Sequence, residues 1–233
     1  MDLEKAVSIF GHGWVKELRD YLGSKEFHNI GQEIRKLRSQ GIEVYPEGNL
    51  VFRAFTETHY EDVTVILLGQ DVYPQKGVAD GLAFSCSNSL HPQPSLKNML
   101  IEVDAEYPEY KLDPYLWRLD QIDLTRWTKQ GVFLLNSFLT VETGTPNSHA
   151  HLWRSFTIKV IEALNKKQDV VYLLLGNIAQ SFEKHISTRH RIVSAAHPAS
   201  ESRNVGSGGF YGSNCFKQVN ECLENVNLKP INW

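Results

Sequence analysis

A chain of 233 residues and 26.6 kDa, 42% apolar and 22% charged, has the composition of a globular protein with one sizeable core, which excludes collagen, coiled-coil and intrinsically disordered classes. Lys plus Arg (24) against Asp plus Glu (27) leaves a net charge of −3, so no protein-wide positive field announces a nucleic-acid partner. Cys86, Cys215 and Cys222 form no C-x-x-C pair, against a disulfide framework or structural zinc; no apolar run nears the roughly 18 residues that cross a bilayer, and the opening MDLEKAVSIFGHGW has acids where a signal peptide is apolar, so a cytoplasmic protein without a membrane partner is expected.

In chain order, residues 1–13 read as an N-terminal extension and residues 14–233 as one domain, with no repeat, low-complexity tract or long linker. The first apolar run, 63–68 (VTVILL), is followed by 132–135 (VFLL). A stripe at Leu152, Phe156, Val160 and Leu164 then drifts around one helix face. Two more runs, 171–175 (VYLLL) and 191–195 (RIVSA), precede a second stripe at Phe216, Val219 and Leu223. The first three runs are apolar on both faces, the pattern of central strands in a parallel sheet. Strands alternating with helices predict a three-layer α/β/α fold around a four-stranded, parallel, twisted sheet.

Ligands of such sheets bind outside the carboxyl ends of the strands, so the residues following each run matter most. They are Gly69-Gln70-Asp71-Val72-Tyr73-Pro74, Asn136-Ser137, Gly176-Asn177 and Ala196-His197-Pro198. Any one of them is accounted for as a turn or a cap. Their conjunction brings an acid, an amide and an imidazole to one rim. No G-x-S-x-G, P-loop or G-x-G-x-x-G is present, and the glycine-rich segment 207–212 reads as a turn. His149-Ala150-His151 lacks a nearby third ligand, and Asn147-Ser148 reads as a helix N-cap, so neither a metal nor a nucleotide cofactor is expected. What remains is acid, base and hydrogen-bond chemistry.

Gly69-Gln70-Asp71-Val72-Tyr73-Pro74, Gly81-Leu82-Ala83-Phe84-Ser85, Pro94-Ser95-Leu96-Lys97-Asn98, Leu134-Leu135-Asn136, Ser148-His149-Ala150 and Ala196-His197-Pro198 occur in the order found in family 1 uracil-DNA glycosylases. The chain resembles that family from about Trp14 to the terminal Pro230-Ile231-Asn232-Trp233. The resemblance implies hydrolysis of the bond between uracil and deoxyribose in DNA, without cofactor, leaving an abasic site for base-excision repair. It implies that Asp71 orients water and offsets positive charge on the sugar. It implies that His197 donates to uracil O2, a contact worth about 3 to 4 kcal/mol when preorganised and dry. By the same resemblance Phe84 stacks on the flipped base and Asn136 reads its O4 and N3–H. Tyr73 fills the space of a thymine methyl, and Gln70 shapes the loop. Ser95 and Ser202 resemble the serines that grip phosphates without a broad basic field. Uracil-containing DNA, single- or double-stranded, is the implied partner; a monomer is expected, and a protein inhibitor of such glycosylases is a further expected partner.

Three departures stand out. Val72 and Pro74 occupy positions where the family usually has proline and histidine. Ala199-Ser200-Glu201-Ser202 replaces the usual Ser-Pro-Leu-Ser, so that Glu201 falls at the leucine that wedges into the base stack, and a carboxylate is a poor wedge beside phosphates. The stretch before Gly209-Phe210 is longer, and its one sizeable apolar residue, Val205, is expected to wedge instead, flanked by Arg203 and Asn204. These departures keep two other readings open. One is a catalytically weakened DNA-binding or polymerase-accessory protein, and the other is a glycosylase shifted toward a 5-substituted uracil.

Overall fold

The computed structural model describes residues 3–87, 89–110, 119–199 and 209–233. Helices α1 (Leu3–Leu22) and α2 (Lys25–Ser39) open the chain, and β1 (Val44–Tyr45), α3 (Arg53–Glu57) and β2 (Val65–Asp71) follow. Next come α4 (Pro94–Glu106), the short α5 (Leu119–Ile122) and α6 (Thr125–Thr128), β3 (Val132–Phe138) and β4 (Val141–Glu142). The chain finishes with α7 (Ala150–Leu164), β5 (Val171–Leu175), α8 (Asn177–Gln180), β6 (Arg191–Ala195) and α9 (Cys215–Glu224). Strands β3, β2, β5 and β6 form, in that order, an all-parallel sheet flanked by helices, as the alternation of elements predicts. Register is set at Val65, opposite Val132 on one side and Val171 on the other.

The reason these runs form central strands is visible in their burial. Ile66, Leu67, Leu68, Phe133, Leu134 and Leu173 are all at 0% exposure, so both faces need apolar side chains. On β6 Arg191 and Ser194 are exposed while Val193 and Ala195 are buried, the alternation of an edge strand with one covered face. Aromatic rings fill the space beside the sheet. Phe10, Phe27, Phe52, Phe55 and Phe156 form one cluster, which Trp14 extends to Phe133 of β3 at 4.8 Å. A second cluster joins Trp127, Phe216 and Trp233. Ala6 and Phe10, within the expected extension, lie on the same helix as Trp14 and are buried with it.

Two boundaries differ from the sequence pattern, and the difference places the functional residues. Strand β2 starts at Val65 and continues through Gly69 and Gln70 to Asp71, while β3 continues through Asn136 and Ser137 to Phe138. The backbone ladder persists after the apolar run stops, pairing Gly69 with Asn136 and Asp71 with Phe138. Asp71 and Asn136 therefore stand on sheet, which holds them more firmly than loops would. The antiparallel pair β1–β4, two residues per strand, is too short to leave a periodic signal. Helix α7 is capped at His149, one residue beyond the expected Asn147-Ser148 cap; Ser148 instead accepts a hydrogen bond from the Glu142 N–H at 2.9 Å.

Candidate active site

Residues paired across parallel strands project to the same face, and residues two apart on one strand do too. Asn136, Gly69 and Asp71 are therefore directed to one side of the sheet ends. Gly69 has no side chain to project. A Cβ there would lie 2.8 Å from Asn136 Oδ1 and 3.2 Å from the Phe84 ring, so glycine is what lets the amide and the aromatic ring close in on the end of β2. Asn136 is 5% exposed, and among the described residues its side-chain amide has no hydrogen-bond partner. An amide without a protein partner is available to a polar group that arrives there.

Phe84 is held in the left-handed region, φ 64°, where a bulky residue is strained. Neighbouring groups fix it there. Tyr73 donates its phenol to the Phe84 carbonyl at 3.1 Å, and the Leu96 N–H at the start of α4 supports the phenol oxygen. Asp80, 1% exposed, accepts from the Leu82 N–H (3.1 Å), Ser85 Oγ (2.6 Å), the Ser87 N–H (3.0 Å) and Ser87 Oγ (2.8 Å). Its charge is balanced by Arg53 at 3.2 Å, which also donates to Thr125 Oγ1 at 2.8 Å. Sequence reasoning missed Asp80 and Arg53. A buried acid and a base 27 positions apart carry no local signature.

His197 closes the other wall, its ring centroid 5.8 Å from that of Phe84. Gly176, φ 89°, lets the backbones approach, since a Cβ there would lie 2.8 Å from the His197 Cβ. The Ala199 N–H donates to Nδ1 at 3.1 Å, which makes Nδ1 an acceptor and leaves the ring proton on Nε2. Burial pushes the His197 pKa down, so the ring stays neutral. Asn98 of α4 donates to the Pro198 carbonyl at 2.6 Å and fixes this turn. The result is a neutral N–H donor on a braced ring.

Asp71 lies two residues beyond Gly69. Its Oδ1 accepts the Val72 N–H at 3.0 Å and its Oδ2 accepts the Asn147 N–H. Burial raises its pKa from the ordinary carboxylate value to about 6, against the lowering pull of those two bonds, so it remains a carboxylate at neutral pH. Gln70 donates to the Asn147 side-chain oxygen at 3.0 Å, tying the 143–149 loop to the strand end. Asn147, at φ 63°, was read from sequence as a cap and not as a site residue; the working group is its backbone N–H, which side-chain chemistry does not disclose.

Ser95 is at the second position of α4 behind Pro94 and is 7% exposed. Ser202, Val205 and Glu201 lie outside the described residues. His149 of the His149-Ala150-His151 pair is buried against Thr140 Oγ1 at 2.8 Å. Among the described residues no group of three His, Cys, Asp or Glu could hold a metal ion, and no helix is long and apolar enough to cross a membrane.

The family model described as the Uracil DNA glycosylase superfamily matches residues 55–224. A uracil-DNA glycosylase of Salmonella arizonae is 41% identical over 223 residues, 94% of this chain and 93% of that protein. One from Streptococcus uberis is 39% identical over 223 residues, 94% and 97% of the two chains. Among solved structures, mimivirus uracil-DNA glycosylase superposes over 100% of this chain and 89% of its own with a TM-score of 0.84 at 22% identity, which supports the fold. A variant of that viral enzyme in complex with UGI gives the same TM-score.

Proposed function

The chain belongs to the uracil-DNA glycosylase superfamily, and on that premise we propose a role for each group around the end of β2. The protein excises uracil from DNA by hydrolysing its N-glycosidic bond, the entry step of base-excision repair. As that bond breaks, positive charge develops on the sugar and negative charge on the departing base. The catalytic need is thus for an anion near the sugar and a neutral donor near the base oxygen.

The reading is carried by one observation: the Asn136 amide, without a hydrogen-bond partner among the described residues, meets the Phe84 ring over Gly69. An amide presents a donor and an acceptor side by side, which matches uracil O4 and N3–H. Cytosine offers the opposite polarity there and would leave the amide unsatisfied. Phe84 serves as the stacking platform, and Tyr73, pinned to the Phe84 carbonyl, blocks a 5-methyl group. His197 offers its Nε2–H to O2 as charge builds, and neutrality suits it to share a proton without having to lose one first. Asp71 orients the attacking water and offsets the sugar's charge. Gln70 holds the loop that carries Asn147.

Ser95 at the start of α4 is proposed to contact a phosphate of the bound strand, with Ser202 as a second contact and Val205 as the wedge that fills the vacated stack. The enzyme is proposed to act as a monomer in the cytoplasm, on single- or double-stranded substrate, and to accept a protein inhibitor as the mimivirus variant accepts UGI. The test is release of free uracil from a single-stranded oligonucleotide with one deoxyuridine, in the presence of EDTA, beside matched thymine and cytosine oligonucleotides. Release from the uracil substrate alone is expected; no release, or release that requires added metal, overturns the reading.

A further inference from the structure

The β1–β4 pair divides its side chains, with Val44 of β1 joining the main core. Tyr45 of β1, Val141 of β4, Val72 and Ala79 form a small apolar cluster of their own. Val72 is 5% exposed in that cluster, and its backbone N–H is the one that donates to Asp71 Oδ1. The loop leaving β4 is tied to the same ribbon. Thr143 N–H donates to the Glu43 carbonyl at 3.0 Å, Gly144 N–H to the Pro74 carbonyl at 3.1 Å, and Thr145 N–H to the Glu142 carbonyl at 3.0 Å. At its far end Asn147 takes a left-handed turn and delivers its N–H to Asp71 Oδ2. Both donors on Asp71 thus hang from one short ribbon.

Building on the catalytic role given to Asp71 above, we propose that this ribbon and its apolar cluster are a clamp for that carboxylate, with Val72 and Asn147 as positioning residues whose backbone N–H groups fix its orientation and stabilise its charge. Each carboxylate oxygen has two acceptor sites, and one N–H on each leaves the remaining sites for water. Backbone donors neither titrate nor swing away, so the charge is supported at a fixed geometry. A proline at position 72, which the resembled family usually carries, has no N–H to give; this chain has gained a donor there.

No charged side chain contributes to the raised pKa of Asp71; burial dominates, and the two N–H bonds oppose it. Of the titratable groups nearby, Glu142 and His149 face each other at 3.6 Å, Lys76 pairs with Glu43 at 3.3 Å, Tyr73 turns to Phe84, and His197 is the neutral ring beside Phe84.

The decisive measurement is made on the wild-type protein, with one variant used for assignment. In the free protein, carbon-13 labelling of aspartate gives the Asp71 carboxyl titration, identified by its loss in Asp71→Asn, and the amide protons of Val72 and Asn147 are followed over the same pH range. Both amide protons are expected to move downfield with the midpoint of Asp71; amides that ignore it overturn the clamp. Val72→Pro adds a functional readout. Asp71 precedes it in extended strand, which tolerates a following proline. The midpoint is expected to rise by about one pH unit, so uracil release falls about fivefold at pH 6 and less than twofold at pH 8.5, while Val72→Ala keeps the wild-type midpoint. A Val72→Pro midpoint equal to wild type would also sink the proposal. Absence of uracil release from the wild type would instead refute the proposed activity and leave the titration result standing.

Discussion

Two carboxylate sites in this protein are held by the same means. Asp71, at the end of β2, accepts two backbone N–H groups, and burial lifts its pKa to about 6. Glu102 and Glu106 on α4 are 2% and 3% exposed. Glu102 accepts from the Gly212 and Asn214 N–H groups at 2.9 and 3.1 Å; Glu106 accepts from those of Phe216 and Lys217 and rises to about 7, through burial and the proximity of Glu102. Helix α9 starts at Cys215, and its N-cap residue Asn214 makes no side-chain capping bond. The glutamates of α4 satisfy the N–H groups that a cap would otherwise take. Glu106 is covered by the start of α9, whereas Asp71 stands two residues beyond Gly69, where the Asn136 amide has no partner among the described residues. A perturbed acid alone therefore does not mark a site; a perturbed acid beside a polar side chain that has no protein partner does.

The sharpest way to break this contrast is Asp71→Asn. Excision from a uracil oligonucleotide is expected to fall by roughly 10² to 10⁴ with DNA binding kept, because the lost charge acts mainly in the transition state. Stability moves the other way. Ionisation of Asp71 is harder in the folded state, so wild-type stability is lost as pH rises from 3.8 through about 6, and the variant escapes that loss. The two backbone N–H groups sit on separate oxygens, so the amide keeps only one of them, and its Tm relative to wild type is expected to be lower at pH 3.5 and to rise toward pH 7.5, by calorimetry. A variant that kept its rate would place Asp71 among the structural acids.

His197→Ala is expected to cost about 10² to 10³ in single-turnover rate, the range for removing one preorganised donor. Because burial lowers the pKa of His197, the wild-type rate should show no histidine limb above pH 6.5. A limb there would mean that the ring acts as a cation and that the Ala199 contact does not define its tautomer.

Much of this architecture is legible in the sequence, and the illegible parts share a cause. Strands buried on both faces write themselves as continuous apolar runs, so β2, β3, β5 and β6 stand out. Asp71, Asn136 and His197 are recognisable because the roles proposed for them belong to their side chains and they follow those runs. Asn147 and Val72 contribute backbone N–H groups, for which any non-proline residue would read the same. Glu102 and Glu106, one turn apart, read as the solvated face of a helix until α9 is seen to pack over them. The polar ends of β2 and β3 look like loops because periodicity tracks side chains while the ladder depends on the backbone.

A third carboxylate, Asp80, tests whether the platform depends on buried charge. Asp80→Asn removes the main counter-charge of Arg53, leaving Glu57 at 3.5 Å and Asp123 at 3.7 Å, and weakens the grip on Ser85 and Ser87. Breaking a mostly buried pair is expected to lower unfolding free energy by about 2 to 3 kcal/mol in urea titrations. It should also raise KM more than it lowers kcat, since the role proposed for Phe84 is to bind the base and not to act on the reacting bond. A kcat loss without a KM change would show that the network serves the chemistry directly.

Glu106→Gln is the mild counterpart of Asp71→Asn. The Phe216 and Lys217 N–H groups donate to separate oxygens, so the single amide oxygen keeps one of the two bonds and half of the cap on α9 survives while the charge goes. In wild type the folded carboxyl titrates near 7 against 4.5 for the free group, so its stabilising contribution is full below pH 4.5 and disappears as pH rises through about 7. The variant carries no such dependence. The stability difference, variant minus wild type, should therefore start below zero at pH 4.5, where the lost acceptor costs about 1 kcal/mol, and grow by about 1 to 2 kcal/mol by pH 8 as the wild-type carboxylate ionises and draws in water. Uracil release at pH 7 should stay within about twofold of wild type, since the pair lies on α4 beneath α9 and touches none of Asn136, Phe84, His197 or Asp71. Activity falling tenfold in a variant that folds with unchanged stability would erase the distinction between the two acid sites and give Glu106 a part in catalysis that its filled surroundings argue against.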